Sequence, residues 1–420
     1  MNRLYVAGGK PLSGETYVSG GKNTSVAVIP AVLLCDEPCT LENVPNIEDV
    51  RVLIEILNHL GATVTFNKEK RELYIDPTTA TQTDVPNELT QKMRASYYFL
   101  GALLGKNAVA SVGLPGGCQI GARPIDLHIK GFMALGAEVV ENGYSIKAEG
   151  ELKGGMVYFD RVTVGGTINV MLAAVKAKGR TCIYGAAKEP HIVDVANFLN
   201  SMGANIKGAG TDTIRIKGVC TLKASRYAVI PDQIETGTLM IMAAATRGDV
   251  TIHGCIPTHM EALTAKLLEM GVGIEEKGDS IRVFPVIEKR RAINLKTSEY
   301  PGFPTDLQQA MSAFLCVAKG KSVVHETIFE NRFNHLREMQ KMGANVSLNG
   351  QIATIEGVEE LRGALVNATD LRAGAALLVA ALIATGTTTI VDPGFIERGY
   401  EHIKEKLIAL GADIIDNPVQ

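Results

Sequence analysis

One short phrase recurs six times along the chain and constrains the fold more than any other feature of the sequence. Its copies read HLGATVTF, ALGAEVVE, SMGANIKG, EMGVGIEE, KMGANVSL and ALGADIID. Their glycines are Gly61, Gly136, Gly203, Gly271, Gly343 and Gly411, which are 75, 67, 68, 72 and 68 residues apart. This nearly even period, close to one sixth of 420 residues, predicts six copies of one structural unit. Six unrelated helix ends would not be spaced so regularly.

Each copy of the phrase has the same physical interpretation. The residues before the glycine are apolar at helical spacing, as with Val50, Leu53, Leu57 and Leu60 in the first copy. The glycine is predicted to end this amphipathic helix in the left-handed conformation, and a short strand follows. Upstream lies a second helix that is apolar nearly all round, such as TSVAVIPAVLL or RAGAALLVAALIATG, and we expect it to be buried.

These units predict an α/β fold. We expect a two-domain inside-out α/β barrel with six repeats of about 70 residues, three per domain, with helices inside and sheets outside. Further strands are predicted at TIRIKG (213–218) and SIRVFP (280–285), because β-branched residues alternate there with charged ones.

Composition and charge exclude several classes of protein. The chain is 46% apolar, so it is not a disordered protein, and its 43 glycines show no collagen period. A net charge of −3 gives no electrostatic footprint for nucleic acid or an anionic membrane. The seven scattered cysteines form neither a disulfide framework nor a CxxC zinc motif. No apolar run approaches the ~20 residues that span a bilayer, so we expect a soluble cytoplasmic protein.

Two glycine-rich segments are candidates for anion chemistry. In SGGKNTSV, Lys22 and Asn23 stand at a predicted helix start, which suits an anion. In GLPGGCQIGARPIDLH, Cys118 lies in a loop with Arg123 nearby and is a candidate nucleophile or proton donor. The other cysteines considered, namely Cys182, Cys220, Cys255 and Cys316, lie in apolar or strand runs and are predicted to be buried.

Charged residues recur just before or after the predicted helices of the repeats. They occur in PDQIETG (231–237), FPTDLQ (303–308), IFENRF (328–333), ATDLRAG (368–374) and IERGYEHI (396–403). Arg94 occupies the same place in its repeat as Arg372, which suggests that several guanidinium groups converge on one anionic ligand. The alternative is that Asp370 and Arg372 form only a local cap and ion pair.

Together, the phrases GGCQIGARPIDLH, PDQIETGT, FPTDLQ, ETIFENRF and ATDLRA resemble the enolpyruvyl transferases that act on UDP-N-acetylglucosamine. The similarity runs from GGKPLSGETYVSGGKN to IERGYEHIKEKLIALGA. The resemblance implies two domains, residues 21–230 and residues 1–20 plus 231–420, with the active site in the cleft between them. It implies transfer of the enolpyruvyl group of phosphoenolpyruvate to the 3′-hydroxyl of UDP-N-acetylglucosamine, the first committed step of peptidoglycan synthesis. Phosphate leaves by addition and elimination through a tetrahedral ketal, with no cofactor and no metal.

The resemblance also implies roles for individual residues. Cys118 is the proton donor and the site of covalent addition of phosphoenolpyruvate or fosfomycin, Asp306 is the base, and Lys22 is catalytic. The phosphoenolpyruvate site comprises Lys22, Asn23, Arg123, Arg372 and Arg398. The UDP-N-acetylglucosamine site comprises Asn23, Arg94, Arg123, Pro124, Ile125, Asp126, Leu127, Arg161, Val162, Thr163, Val164, Asp306 and Ile328. Arg332 and Asp370 support the closed site.

Some positions depart from the commonest family pattern, and two alternative functions stay open. The departures are Gly21, Arg161, Thr163, His191 and Gln233, none of which removes a proposed catalytic group. His128 is interpreted as a structural hydrogen-bonding residue rather than a loop latch. The first alternative function is enolpyruvyl transfer to shikimate 3-phosphate, which the Cys118 loop disfavours. The second is a catalytically silent paralogue that binds the nucleotide sugar as a sensor.

Overall fold

The computed structural model describes residues 2–116, 121, 124–286 and 290–416. Contacts between Cα atoms divide the chain into two compact units. We call residues 20–116 and 124–230 the Lys22 unit. We call residues 2–19, 231–286 and 290–416 the Asp306 unit, whose first residues are separated in sequence from the rest.

The elements are numbered in chain order. The Asp306 unit begins with strands β1 (Arg3–Ala7) and β2 (Ser13–Tyr17). The Lys22 unit follows with α1 (Lys22–Ala31), β3 (Cys39–Glu42), α2 (Glu48–His59), β4 (Thr63–Asn67), β5 (Glu72–Asp76), β6 (Asp84–Val85), α3 (Asn87–Thr90), α4 (Tyr98–Asn107), β7 (Val109–Gly113), α5 (Asp126–Ala134), β8 (Glu138–Glu141), β9 (Ser145–Glu149), β10 (Met156–Thr163), α6 (Val164–Ala174), β11 (Arg180–Ala186), α7 (Pro190–Ser201), β12 (Asn205–Lys207), β13 (Thr213–Lys217) and β14 (Arg226–Ala228). The Asp306 unit resumes with α8 (Gln233–Ala245), β15 (Asp249–His253), α9 (Glu261–Glu269), β16 (Gly273–Lys277), β17 (Ser280–Phe284), β18 (Leu295–Lys296), α10 (Thr305–Leu315), β19 (Lys321–His325), α11 (Asn334–Gln340), β20 (Asn345–Asn349), β21 (Ile352–Glu356), β22 (Leu365–Asn367), α12 (Leu371–Ile383), β23 (Thr387–Val391), α13 (Gly394–Glu397), α14 (Ile403–Ala409) and β24 (Asp413–Asp416). Short 3₁₀ turns occur at Val32–Leu34, Pro77–Thr79, Arg94–Tyr97 and Pro257–Met260.

Within the described residues the strands form six four-stranded sheets, and all six have the same topology. A parallel pair at one edge is followed by two antiparallel neighbours. In the Lys22 unit the orders are β14-β3-β5-β4, β6-β7-β9-β8 and β10-β11-β13-β12. In the Asp306 unit they are β2-β15-β17-β16, β18-β19-β21-β20 and β22-β23-β1-β24. The six-repeat prediction is therefore confirmed at the level of strand pairing.

Three strands complete sheets whose other members are distant in sequence. In the Lys22 unit, β14 pairs with β3, so that Arg226 lies opposite Thr40. In the Asp306 unit, β2 pairs with β15. In the same unit β1 lies between β23 and β24, so that Leu4 faces Ile390 on one side and Asp416 on the other. Each unit is thus closed by pairing between its two ends.

Each unit has its own core, formed around three inner helices. These helices are α1, α4 and α6 in the Lys22 unit and α8, α10 and α12 in the Asp306 unit. In α12, for example, every residue from Leu371 to Leu382 is buried. The strands alternate buried and exposed residues, so their sheets cover the helices with one face. This confirms the predicted arrangement of helices inside and sheets outside.

The six repeated glycines have the predicted conformation. Each follows an outer helix, and its φ angle lies between 87° and 104°, in the left-handed region. An L side chain is strained there, so glycine ends the helix at the least cost. The chain then enters the strand that follows in every copy, from β4 to β24.

The prediction for the apolar cysteines is correct in part. Cys255 and Cys316 are buried, but Cys220 is exposed and Cys182 is half-buried. Cys220 lies beyond the end of β13, and Cys182 lies on the outer face of β11, because successive strand residues point to opposite faces. Within the described ranges, no helix is both long and apolar enough to cross a membrane.

Candidate functional site

The Asp306 carboxylate is held by two arginines. Asp306 is the second residue of α10, and its side chain retains 26% of its exposure. Arg332 donates from Nη2 to Oδ1 at 2.7 Å, and Arg372 donates from Nη2 to Oδ2 at 3.0 Å. The two arginine side chains are only 3% and 6% exposed. Arg332 and Arg372 therefore meet at a carboxylate of their own unit and hold it in a fixed orientation, and the predicted convergence of Arg94 and Arg372 on an anionic ligand stays a prediction.

Arg372 is positioned by the start of α12. Asp370 caps this helix by accepting from the backbone nitrogens of Arg372 and Ala373 at 2.9 and 3.0 Å. The guanidinium lies 5.4 Å from the centre of the Tyr400 ring. Burial on its own lowers the pKa of Arg372, but Asp306, Tyr400 and Asp232 together outweigh burial and the net pKa is raised. Asp370 thus has the capping role considered from the sequence, whereas Arg372 pairs with Asp306.

The segment before Arg332 is fixed to the start of α10 by Glu326. This carboxylate is fully buried and accepts from Thr297 Oγ1 at 3.0 Å and Thr305 Oγ1 at 2.8 Å. It also accepts from the backbone nitrogen of Ile328 at 2.9 Å. Glu326 therefore joins the IFENRF segment to the helix that carries Asp306. The sequence analysis missed this residue, since nothing in the local pattern marks it as buried.

In the Lys22 unit, Lys22 is the first residue of α1 and forms an ion pair with Asp49 at 2.9 Å. The Asp49 side chain is 5% exposed and lies near the start of α2. Asn23 follows Lys22 and is half-buried. The partner of Lys22 was missed from the sequence, although an acidic residue at a helix start is a recognisable signal.

Two of the segments predicted to bind the nucleotide sugar are connected by an ion pair. Arg161, near the end of β10, donates from Nη2 to the two carboxylate oxygens of Asp126 at 2.9 and 3.1 Å, and both side chains are more than half exposed. Thr163 caps α6 by accepting from the Gly166 nitrogen at 3.1 Å. The neighbouring candidates differ in burial: Pro124 and Val162 are exposed, Ile125 and Val164 are half-buried, and Leu127 is buried.

His128 connects this region to Arg94. The Arg94 guanidinium lies 5.7 Å from the centre of the Tyr97 ring, and Tyr97 meets the His128 ring edge-on at 4.7 Å. His128 Nδ1 is 2.8 Å from Asn169 Nδ2. Burial, helped by the charge of Arg94, lowers the pKa of His128 to about 3. A neutral, buried, hydrogen-bonded ring fits the structural role predicted for His128.

The remaining candidates give less information. Cys118 and Arg123 lie outside the described residues. Arg398 immediately follows α13 and is half-buried. Over the described ranges, no group of three or more His, Cys, Asp or Glu side chains is arranged to hold a metal ion.

Comparison with known proteins gives a consistent result across nearly the whole chain. The family model for EPSP synthase (3-phosphoshikimate 1-carboxyvinyltransferase) matches residues 6–407. UDP-N-acetylglucosamine 1-carboxyvinyltransferase 3 of Caldanaerobacter subterraneus subsp. tengcongensis is 55% identical, with 99% of both chains covered. UDP-N-acetylglucosamine 1-carboxyvinyltransferase of Clostridium botulinum is 54% identical, with 99% of this chain and 100% of the relative covered.

Solved structures show the same fold at lower identity. The enolpyruvyl transferase NikO from Streptomyces tendae aligns with a TM-score of 0.90 at 24% identity, covering 100% of this chain and 99% of its own. An EPSP synthase from Acinetobacter baumannii aligns with a TM-score of 0.77 at 17% identity, covering 100% of both chains.

Proposed function

The chain belongs to the EPSP synthase family of carboxyvinyl transferases, and on that premise we propose which acceptor it uses. It transfers the enolpyruvyl group of phosphoenolpyruvate to the 3′-hydroxyl of UDP-N-acetylglucosamine and releases phosphate. This reaction is the first committed step of peptidoglycan synthesis. Because phosphoenolpyruvate and nucleotide sugars are intermediates of cytoplasmic metabolism, we infer a cytoplasmic enzyme.

The observation that carries this proposal is the name UDP-N-acetylglucosamine 1-carboxyvinyltransferase, which is shared by near-full-length relatives that are 55%, 54% and 51% identical to this chain. The family model bears the name of the enzyme that uses 3-phosphoshikimate, so shikimate 3-phosphate is the second candidate acceptor. The high identity over the whole chain favours the nucleotide sugar.

The arrangement around Asp306 supports its proposed role as the base. As the acceptor oxygen bonds to C2 of phosphoenolpyruvate, its hydroxyl proton has to be taken up by a nearby group. The Asp306 carboxylate is held by two arginines and its side chain is still partly exposed, so it can meet a hydroxyl group. The proton lost from the hydroxyl is accepted by Asp306, and C3 of the enol receives a proton from a separate acid.

We assign the acid role to Cys118, on the resemblance of its loop. Protonation at C3 and attack at C2 give the tetrahedral ketal, and elimination breaks the bond between C2 and the phosphate oxygen. A proton is lost from C3 in that step, which restores the enol. Lys22, Arg123 and Arg398 hold the phosphate and carboxylate of phosphoenolpyruvate, with Arg372 beside them and Asn23 between the two substrates. Arg94 and the segments 123–127 and 161–164 hold the nucleotide sugar.

A phosphate-release assay with two acceptors tests the function. We expect turnover with phosphoenolpyruvate and UDP-N-acetylglucosamine and none with shikimate 3-phosphate. Turnover with shikimate 3-phosphate alone would move the chain to the second candidate function. Binding of the nucleotide sugar without phosphate release from either acceptor would instead identify a catalytically silent sensor.

Intact-mass analysis tests the role of Cys118. In the presence of the nucleotide sugar, we expect fosfomycin to add once to the wild-type protein, because a thiolate opens its epoxide. Cys118→Ser removes the sulfur nucleophile and should stay unmodified, while Cys220→Ser, which changes an exposed cysteine, should react as wild type does. An unmodified wild-type protein would contradict a reactive thiol in this loop.

A further inference from the structure

Gln309 lies one helical turn after Asp306 on α10, and its side chain is buried, with 1% of the residue exposed. The orientation of its amide is set by its hydrogen-bond partners. The oxygen accepts from Arg332 Nε at 2.5 Å, and the nitrogen donates to the Thr305 carbonyl oxygen at 3.0 Å. The opposite orientation would place the amide oxygen against the Thr305 carbonyl oxygen and the amide nitrogen against Arg332 Nε, so only one orientation of the amide is favourable.

Gln309 completes the set of contacts that fixes the Arg332 side chain. Arg332 donates from Nε to Gln309 and from Nη2 to Asp306, and its guanidinium lies 4.9 Å from the centre of the Phe329 ring. A guanidinium group is planar, so two bonds from different nitrogens determine both the plane and the position of the group. At 3% exposure the Arg332 side chain has little access to water that could replace the amide.

Gln309 therefore connects the backbone of α10 to the carboxylate on the same helix through the arginine. The contacts run from the Thr305 carbonyl to the Gln309 amide, then to Arg332 and finally to Asp306 Oδ1. All four residues lie in the Asp306 unit. A change at Gln309 alters the direction from which Arg332 approaches the carboxylate without removing either charge.

We propose that Gln309 is a positioning residue for the transfer reaction, holding Arg332 so that Arg332 keeps the Asp306 carboxylate aligned with the acceptor hydroxyl. The inference rests on the proposed function, in which Asp306 is the base. Gln309 has no contact with substrate in this role and acts only through the arginine.

The test compares two neighbouring glutamines. Gln309→Met keeps the length of the side chain and removes both hydrogen bonds. Gln308→Met is the matched control, because Gln308 is fully buried on the same helix and donates to Ser312 Oγ at 2.8 Å instead of bonding Arg332. We expect kcat to fall about tenfold in Gln309→Met, since a small misplacement of a catalytic group is costly. The KM values should change less than about threefold, and Gln308→Met should keep the wild-type kcat.

A double-mutant cycle with Arg332→Lys tests whether Gln309 acts through the arginine. Lysine keeps the positive charge but has no Nε–H group for Gln309 to accept from. Once Arg332→Lys is present, adding Gln309→Met should lower kcat no further. Additive losses in the double variant, or equal kcat values for Gln309→Met and Gln308→Met, would overturn the proposal.

A measurement without turnover separates this inference from the proposed function. In ¹⁵N-labelled protein, the Arg332 Nε–H signal should be protected from solvent exchange, with Arg332→Lys providing its assignment. The protection should be lost in Gln309→Met and kept in Gln308→Met. Wild-type protein that shows the protected signal but releases no phosphate would refute the proposed function, and with it the catalytic part of this inference. Absence of protection in wild type would refute the contact itself.

Discussion

The Lys22 unit and the Asp306 unit have the same arrangement of helices and sheets but different chemistry at the starts of their inner helices. In the Asp306 unit an aspartate stands at or next to each start: Asp232 caps α8, Asp306 lies in the first turn of α10, and Asp370 caps α12. In the Lys22 unit, Lys22 is the first residue of α1, Arg94 begins the 3₁₀ turn that precedes α4, and the hydroxyl of Thr163 caps α6.

This difference shows how one repeated fold is used for two purposes. The start of a helix carries a partial positive charge, which an aspartate neutralises and a lysine reinforces. The Asp306 unit therefore presents a carboxylate with its two arginines, and the Lys22 unit presents a lysine that is paired with Asp49. The fold sets the positions, and the residues placed there decide the chemistry.

The largest test of this comparison is Asp306→Asn. The amide keeps the shape of the side chain but cannot take up a proton, so we expect kcat for phosphate release to fall about 10³-fold. The control is Asp249→Asn in the same unit, because Asp249 also accepts two hydrogen bonds from one arginine, Arg282, at 2.8 Å each but lies on the surface. A variant of Asp306 that keeps even a tenth of wild-type turnover would assign the base elsewhere.

Lys22→Met tests the proposed role of the Lys22 unit in binding the phosphate of phosphoenolpyruvate. It removes the cation that lies 2.9 Å from Asp49, and we expect kcat/KM for phosphoenolpyruvate to fall about 10²-fold, because charge on the phosphate loses a fixed partner. The control is Lys130→Met, which breaks an exposed ion pair with Asp160 in the same unit. An unchanged kcat/KM in Lys22→Met would show that Lys22 does not bind the phosphate of phosphoenolpyruvate.

Each unit contains a buried histidine, His128 in the Lys22 unit and His335 in the Asp306 unit, and the pH dependence of unfolding tests what each contributes to stability. Burial lowers the pKa of both His128 and His335 to about 3. Each ring is neutral in the folded protein, but in the unfolded chain it becomes protonated below about pH 6.5. Because protonation favours the unfolded chain, the free energy of unfolding keeps its full value above that pH and decreases as the pH falls towards 3. At pH 5 the loss is about 2 kcal/mol for each histidine. Substitution of either histidine by leucine should therefore make the unfolding midpoint less sensitive to acid.

The two substitutions should differ at pH 7. His128 is bonded to Asn169, so His128→Leu should cost about 1 kcal/mol there. Among the described residues, no hydrogen-bond partner is found for either ring nitrogen of His335, so His335→Leu should be close to neutral. Denaturant unfolding at pH 7 and pH 5 measures both effects. Equal losses at pH 7 would show that packing, rather than the hydrogen bond, dominates at these sites.

A last pair of variants tests how closely the inner helices approach one another. A Cβ atom added at Gly101 in α4 would lie 2.4 Å from the Asn169 carbonyl oxygen, which belongs to the backbone of α6. At Gly237 in α8 the nearest atom would be Leu307 Cδ1 at 2.5 Å, the end of a side chain that can rotate. We expect Gly101→Ala to cost about 1–3 kcal/mol and Gly237→Ala less than about 1 kcal/mol. Equal decreases in melting temperature for the two variants, relative to wild type, would show that the two units tolerate an added methyl group between their inner helices equally well.

Much of the fold could be predicted because its signals are local. The six glycines mark helix ends by their own conformation, and the small apolar runs mark buried helices by composition. Strand pairing was not predictable in the same way, because β1 lies beside β23 and β24, near the other end of the chain. The exposure of Cys220 was missed for a similar reason, since it depends on where β13 ends.

The residues of the candidate site also differ in whether a local sequence signal marks them. Asp306, Arg332 and Arg372 stood out as charges at helix starts or in the IFENRF motif, and the structure brings them together. Asp49, Glu326 and Gln309 did not stand out, because their importance depends on contacts that only the folded chain makes. The sequence could nevertheless have identified Gln309 as a neighbour of Asp306, because a spacing of three residues places both on one face of a helix.

The position of β1 has a consequence for the order in which the protein folds during synthesis. Residues 20–230 leave the ribosome before residues 231–416 and contain the described strands of the Lys22 unit, so that unit is able to fold while translation continues. The neighbours of β1 are Thr387–Val391 and Asp413–Asp416, which are made on the order of tens of seconds after β1 itself. Strand β1 therefore has neither of its two neighbouring strands until these later segments have been made. Completion of the Asp306 unit depends on synthesis of this late segment rather than on the emergence of its inner helices.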